Sequence, residues 1–150
     1  MSDSRIRIRR GRRTDFMSVM QMLAATGIAV PPPDRATLRR FRNIVADLGT
    51  DLYVAAVDDT LAGLVHVTYA RQLAAQPQAR LDQLVVAGPF RRRGIGSALL
   101  AFVQERARRR GCVLLSCALA DTSGPARQFL HQAGLQPMGE CFVKTLEAEC

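Results

Sequence analysis

The chain has 150 residues, 48% of them hydrophobic and 23% charged, ordinary proportions for one domain, residues 1–150, able to bury about two-thirds of its unfolded surface. Its net charge of +8 comes almost entirely from arginine, Lys144 being the only lysine, and it favours anionic partners without choosing among them. No apolar run approaches the roughly 20 residues of a membrane span, and Met1-Ser2-Asp3-Ser4-Arg5 lacks the apolar core of a signal peptide, so a cytoplasmic protein with no membrane partner is expected.

Residues Arg5-Ile6-Arg7-Ile8-Arg9 alternate strictly, the period of a strand with one buried face, and charges on the other face guard a sheet edge. Thr14 or Asp15 is positioned to cap a helix carrying Phe16, Val19, Met20 and Leu23 on one side and ending near Gly27. Pro31-Pro32-Pro33 makes an extended break, after which Asp34 can cap a second helix running to about Leu48, with Arg39, Arg40 and Arg42 on a solvated face. Strands are expected at Leu52 to Val57 and Leu61 to Tyr69, joined as a hairpin by Asp58-Asp59-Thr60. A polar connection, Arg71 to Gln78, precedes a strand from Arg80 to Val86.

A helix opened by Gly96 and running to Arg110 follows, with Ala98, Leu99, Phe102 and Val103 at helical spacing and Gly111 as its stop. The apolar run Cys112 to Leu119 has the composition of a central strand buried on both faces. After a loop at Asp121 to Gly124, Pro125 starts a short helix that ends at Gly134, and a last strand is expected at about Glu140 to Leu146. This order describes a mixed α/β sheet with helices on its faces. Cys112, Cys117, Cys141 and Cys150 show no paired spacing, and His66 and His131 complete no ligand set, so reduced thiols and no metal are expected.

The most informative stretch is the strand Leu84-Val85-Val86, which leads through Arg91-Arg92-Arg93-Gly94-Ile95-Gly96 into a helix. A glycine-relieved turn at a helix N-terminus offers N–H groups with no intrahelical acceptor, aimed with the helix dipole at an anion. The ligand expected is nucleotide-like and bears phosphate. A dinucleotide fingerprint would need a third glycine where Leu99 stands, and a P-loop would need a lysine after its last glycine.

Arg91-x-x-Gly94-x-Gly96 fits the pattern [QR]-x-x-G-x-[GA], and over nearly its whole length the chain resembles the GNAT superfamily of acyl-CoA-dependent N-acyltransferases. One departure is Gly88 followed by Pro89, where many relatives place proline three residues before the signature arginine. The resemblance implies a mixed, mostly antiparallel central sheet flanked by about four helices, forming a single acetyltransferase domain. It implies acetyl-CoA as cosubstrate, with its pyrophosphate held behind Arg91 by backbone N–H groups of Arg92, Arg93, Gly94, Ile95, Gly96 and Ser97. The pantetheine arm would lie along Leu84, Val85 and Val86 like an added strand, with an N–H near Val86 for the thioester oxygen. Ser123 falls where relatives often carry an asparagine touching the arm, and it equally suits a helix cap. The acceptor implied is a primary amine of a small molecule, peptide or protein, and a homodimer is compatible with the family.

Acyl transfer needs a base to take the ammonium proton and a stabilised leaving thiolate. The tyrosine that many relatives use for the second task is replaced by Leu130, and His131 beside it is turned away by about 100° of helix. For the base, alternation puts Asp82 on one face with Leu84 and Val86, where similar enzymes often carry a glutamate; His66, on the polar side of its strand with Thr68, is the second candidate, and a water chain the alternative. Tyr53 and Tyr69 are read as packing residues, although Tyr69 ends a strand near the expected acceptor cleft. Cys117 sits in apolar surroundings that keep a thiol unreactive, which favours direct transfer in a ternary complex. Two other readings stand beside this one: a CoA-binding regulatory domain without transferase activity, and a basic nucleic-acid-binding module. Against the latter are the 5% aromatic content and the lack of tryptophan, which leave little for base stacking.

Overall fold

The computed structural model describes residues 5–27, 29–119 and 124–146. Its contacts divide the chain into two units, Met1–Cys117 and Ala118–Cys150. In the first, the alternating arginines and isoleucines form β1 (Ile6–Arg10), which pairs antiparallel with β2 (Thr50–Val57). Next come β3 (Thr60–Ala70), antiparallel to β2, β4 (Gln78–Val86), antiparallel to β3, and β5 (Leu114–Cys117), parallel to β4. The strands lie in the order β1-β2-β3-β4-β5. The expected hairpin forms on two residues, Asp58 and Asp59, whose φ angles of 49° and 65° are those of the turn that matches strand twist.

Helices α1 (Phe16–Ala25) and α2 (Arg35–Ala46) cover one face of this sheet. Phe16, Val19, Met20, Leu23 and Phe41 close over Leu52, Val54, Leu64 and Val85 in a continuous apolar cluster, and Phe16 meets Phe41 with ring centroids 5.5 Å apart. Asp34 caps α2 as expected, accepting from the Thr37 N–H at 2.9 Å. At α1 the cap differs from expectation. Asp15 turns back to accept from the Arg12 N–H at 2.7 Å and from Arg9 Nη1 and Nη2 at 2.8 Å each, because a short helical turn at Arg13–Asp15 already leads into α1.

The other face is covered by α3 (Ile95–Arg109), which starts one residue before Gly96 and buries Ile95, Leu99 and Val103. The fit is tight at Gly63, where an added Cβ would lie 3.0 Å from the Val85 carbonyl oxygen and 3.1 Å from both Ile95 Cγ2 and Leu99 Cδ1. Gly63→Val is therefore expected to destabilise the fold by about 1–3 kcal/mol through overpacking, lowering the urea midpoint; an unchanged midpoint would mean that α3 has room to retreat.

Two expectations are corrected. The run Cys112 to Leu119 yields only a four-residue strand, and β5 is an outer strand with Leu114 46% exposed. An apolar run is equally compatible with an edge strand, because composition does not count neighbours. In the second unit α4 (Pro125–Gln132) starts on its proline as expected, but residues 140–146 form no strand, and Phe142, Val143 and Leu146 are exposed. A segment of strand-forming residues still needs a ladder partner for its backbone before it becomes a strand.

Candidate active site

β4 carries the site. Its pairing with β5 runs from Gln78↔Leu114 to Leu81↔Cys117 and stops there. On the other side β4 stays paired with β3 to Gly63↔Val86, and the Ala87 N–H donates to the Ala62 carbonyl at 2.8 Å. Antiparallel ladders alternate, so Leu84 and Val86 point their N–H and C=O groups away from β3, along the edge that β5 does not pair with. Arg91 Nε approaches the Val86 carbonyl at 3.4 Å.

Beyond β4 a short helical turn, Gly88–Phe90, carries the chain into the arginine loop. Arg92 and Gly94 both have positive φ, 64° and 78°. Gly94, which adopts this conformation without a Cβ clash, is the N-cap of α3 and provides no side-chain cap. A left-handed residue followed by helical ones turns successive N–H groups toward a common point, which is an anion nest. The N–H groups of Ile95, Gly96 and Ser97 stand in the first helical turn, where no intrahelical carbonyl can reach them. Arg93 lies over the Phe90 ring, 5.4 Å from its centroid.

The two candidate bases lie together, contrary to the expected placement of Asp82 with Leu84 and Val86. The β3–β4 register shifts between His66↔Gln83 and Val67↔Leu81, leaving Asp82 as the extra residue of a bulge. The bulge reverses the parity of the strand, so Asp82 faces His66 while Leu84 and Val86 pair with Val65 and Gly63 on the α3 side. His66 Nδ1 is 3.8 Å from Asp82 Oδ2. The same carboxylate accepts from the Thr68 hydroxyl and from Arg80 Nε, the latter at 2.6 Å. Burial pushes the His66 imidazole below its ordinary pKa, Asp82 opposing that shift and Arg80 adding to it. His66 Nε2 is buried and has no hydrogen-bond partner among the described residues.

His66 and Gln83 line one side of a cavity of about 220 Å³ between the sheet and helices α1 and α2. Its lining also includes Val30 and Pro31, from the proline-containing connection, and Arg40 from α2. Neither Gln83 nor Arg40 stood out in the sequence. The adjacent polar pair Asp82-Gln83 inside an alternating strand is the signal of the bulge, and so of Gln83 facing the same side as His66.

The tyrosines are packing residues, as expected, both on the α3 face. Tyr53 meets Phe102 edge to face, with centroids 4.7 Å apart. Tyr69 donates its hydroxyl to buried Asp51 at 2.5 Å, and burial with this bond pushes its pKa well above the ordinary value. Burial and the Asp82 charge likewise push the Cys117 thiol up. Leu130 is on α4, and Ser123 lies outside the described residues.

A mixed sheet whose fourth strand leads through a glycine-relieved turn into a helix is the arrangement expected of an acetyltransferase. The chain belongs to the acetyltransferase (GNAT) family, whose profile matches residues 17–135. Solved structures share the fold. A transcriptional regulator from Bacillus halodurans C-125 is 24% identical at a TM-score of 0.83, covering 95% of this chain and 100% of that one. AAC(6')-Iy, solved in complex with a CoA bisubstrate analogue, is 18% identical at 0.81, covering 97% and 100%. Glucosamine-6-phosphate N-acetyltransferase from Arabidopsis thaliana is 15% identical at 0.79, covering 95% and 99%. A search of curated proteins finds no match.

Proposed function

We propose that this protein is an N-acetyltransferase that moves the acetyl group of acetyl-CoA directly onto a primary amine within a ternary complex. The observation that carries the reading is the arrangement along β4, an edge with outward N–H groups leading into an anion nest. The family match crosses the boundary between the two units at Cys117, which supports reading residues 1–150 as one acetyltransferase domain. No helix among the described residues is long and apolar enough to cross a membrane; a cytoplasmic location is part of this proposal.

The donor set fits the cosubstrate. N–H groups of Arg92 to Ser97 would hold the pyrophosphate, Arg91 and Arg93 adding positive charge, and Leu84 and Val86 offer the edge on which an amide-bearing arm can pair. Ser123 is a further candidate contact to that arm. When bound, acetyl-CoA supplies an activated acyl carbon. The Val86 N–H is the donor assigned to the thioester oxygen, stabilising the charge that builds there during attack.

His66 is the general base. Its imidazole is neutral at physiological pH, and the Asp82 carboxylate beside Nδ1 favours the tautomer that leaves the Nε2 lone pair to accept the ammonium proton. Asp82 acts through His66 as a positioning group. Cys117 keeps its proton at neutral pH, which supports direct attack by the amine over an acyl-cysteine. Tyr69 is committed to Asp51, so neither tyrosine of the chain is assigned to protonating the leaving thiolate.

Acetyl-CoA at about 100 times its Kd is expected to stabilise the protein by about 2.7 kcal/mol, a rise in Tm of roughly 5–10 °C for a chain of this size. A thiol-release assay with a panel of primary amines then tests transfer. No Tm rise and no binding heat would overturn the reading. Binding without CoA release for any amine would favour the regulatory alternative.

A further inference from the structure

The cavity beside His66 is selective in size and chemistry. At about 220 Å³ it lies below the roughly 300–1,000 Å³ of pockets that enclose drug-sized ligands. Its walls are chiefly aliphatic and aromatic, with Met20, Leu23, Phe41, Ile44, Leu52 and Leu64 among them. Among the described residues no aspartate or glutamate lines it, and the one full positive charge is Arg40. Arg40 is exposed and has neither an ion-pair nor a hydrogen-bond partner among the described residues. By contrast Arg9, Arg10 and Arg80 each hold a carboxylate.

These properties work against two acceptor classes. A polycation would meet no counter-charge and would be repelled by Arg40. A sugar would bury hydroxyls against walls that offer few acceptors or donors. An apolar body of a few carbons fits, and a carboxylate on it would find Arg40 as its partner. The buried, unpartnered Nε2 of His66 asks for an N–H, which an amine supplies.

We propose that the acceptor is a small primary amine with an apolar body and a carboxylate, the body seated in this cavity, the carboxylate on Arg40 and the amine beside His66. The inference rests on the acetyltransferase reading and narrows it to a substrate class.

The test compares acetyl-CoA-dependent thiol release with L-leucine, with isopentylamine, which is leucine without its carboxylate, and with spermidine as a polycation. Wild type should favour leucine over isopentylamine by roughly 10-fold to 100-fold in kcat/KM, the worth of a hydrogen-bonded charge. Arg40→Gln should erase that preference by raising the KM for leucine far more than the KM for isopentylamine. Spermidine turnover above that of leucine, or a leucine preference that survives in Arg40→Gln, would overturn the substrate class. Acetyl-CoA binding measured in parallel separates the two levels. Binding without turnover of leucine defeats this inference alone, whereas loss of both binding and turnover defeats the acetyltransferase reading itself.

Discussion

His66→Ala is expected to lower kcat by about 100-fold to 10,000-fold, the usual contribution of a positioned base, while acetyl-CoA binding stays as in the wild type. The pH profile carries the assignment. Burial holds the imidazole below its ordinary value of 6.5, so the acidic limb of kcat/KM should have its midpoint under that value and reach its plateau by neutrality. Asp82→Asn removes the charge that opposes this shift and should move the limb to still lower pH. The linkage has a definite sign. The unfolded chain protonates His66 first, so the stability owed to a neutral buried imidazole is complete above the unfolded pKa and is lost as pH falls through the folded one. His66→Ala should flatten the acidic limb; a variant with wild-type kcat and an unchanged limb would show that another group, or water, takes the proton.

The second large effect lies on the opposite face of the sheet. Asp51 is fully buried and accepts from Tyr69 at 2.5 Å and from Arg10 at 2.9 Å, with Arg110 at 3.6 Å and Arg106 at 3.9 Å. Arg110 also stacks over the Tyr69 ring, 4.1 Å from its centroid. This carboxylate thus ties β1, β2, β3 and the end of α3 together. Asp51→Ala should cost about 3 kcal/mol, toward the lower end for breaking a buried ion pair because the arginines remain partly solvated. The corresponding fall in Tm is roughly 6–12 °C. Thermal melts at neutral pH read this directly, and an unchanged Tm would mean that the arginines and Tyr69 find equivalent partners without the acid.

The parts of the site that were legible in the sequence are those made by neighbours along the chain. The nest depends on Gly94 and the helix that follows it, and the hairpin on Asp58-Asp59; both are local conformational choices that residue type records. The placement of Asp82 was not legible by alternation, because a bulge is a mismatch between two strands and the count has to be kept on both. The edge position of β5 was hidden for a related reason, since an apolar run records burial propensity and not the number of its neighbours. Arg40 was visible only as one of several arginines on a solvated helix face. Its place at the cavity depends on how α2 lies against β2.

The outward-facing stretch of β4 has a consequence for how its role can be probed. Leu84 and Val86 present main-chain atoms along the β4 edge, while their side chains lie on the α3 side of the sheet. Whatever docks on that edge reads the backbone, which every amino acid except proline supplies alike. Side-chain truncation would therefore report on packing and leave recognition untouched. Chemistry that alters the amide itself, such as replacing the Val86 peptide bond by an ester, addresses the contact without disturbing the core beneath it.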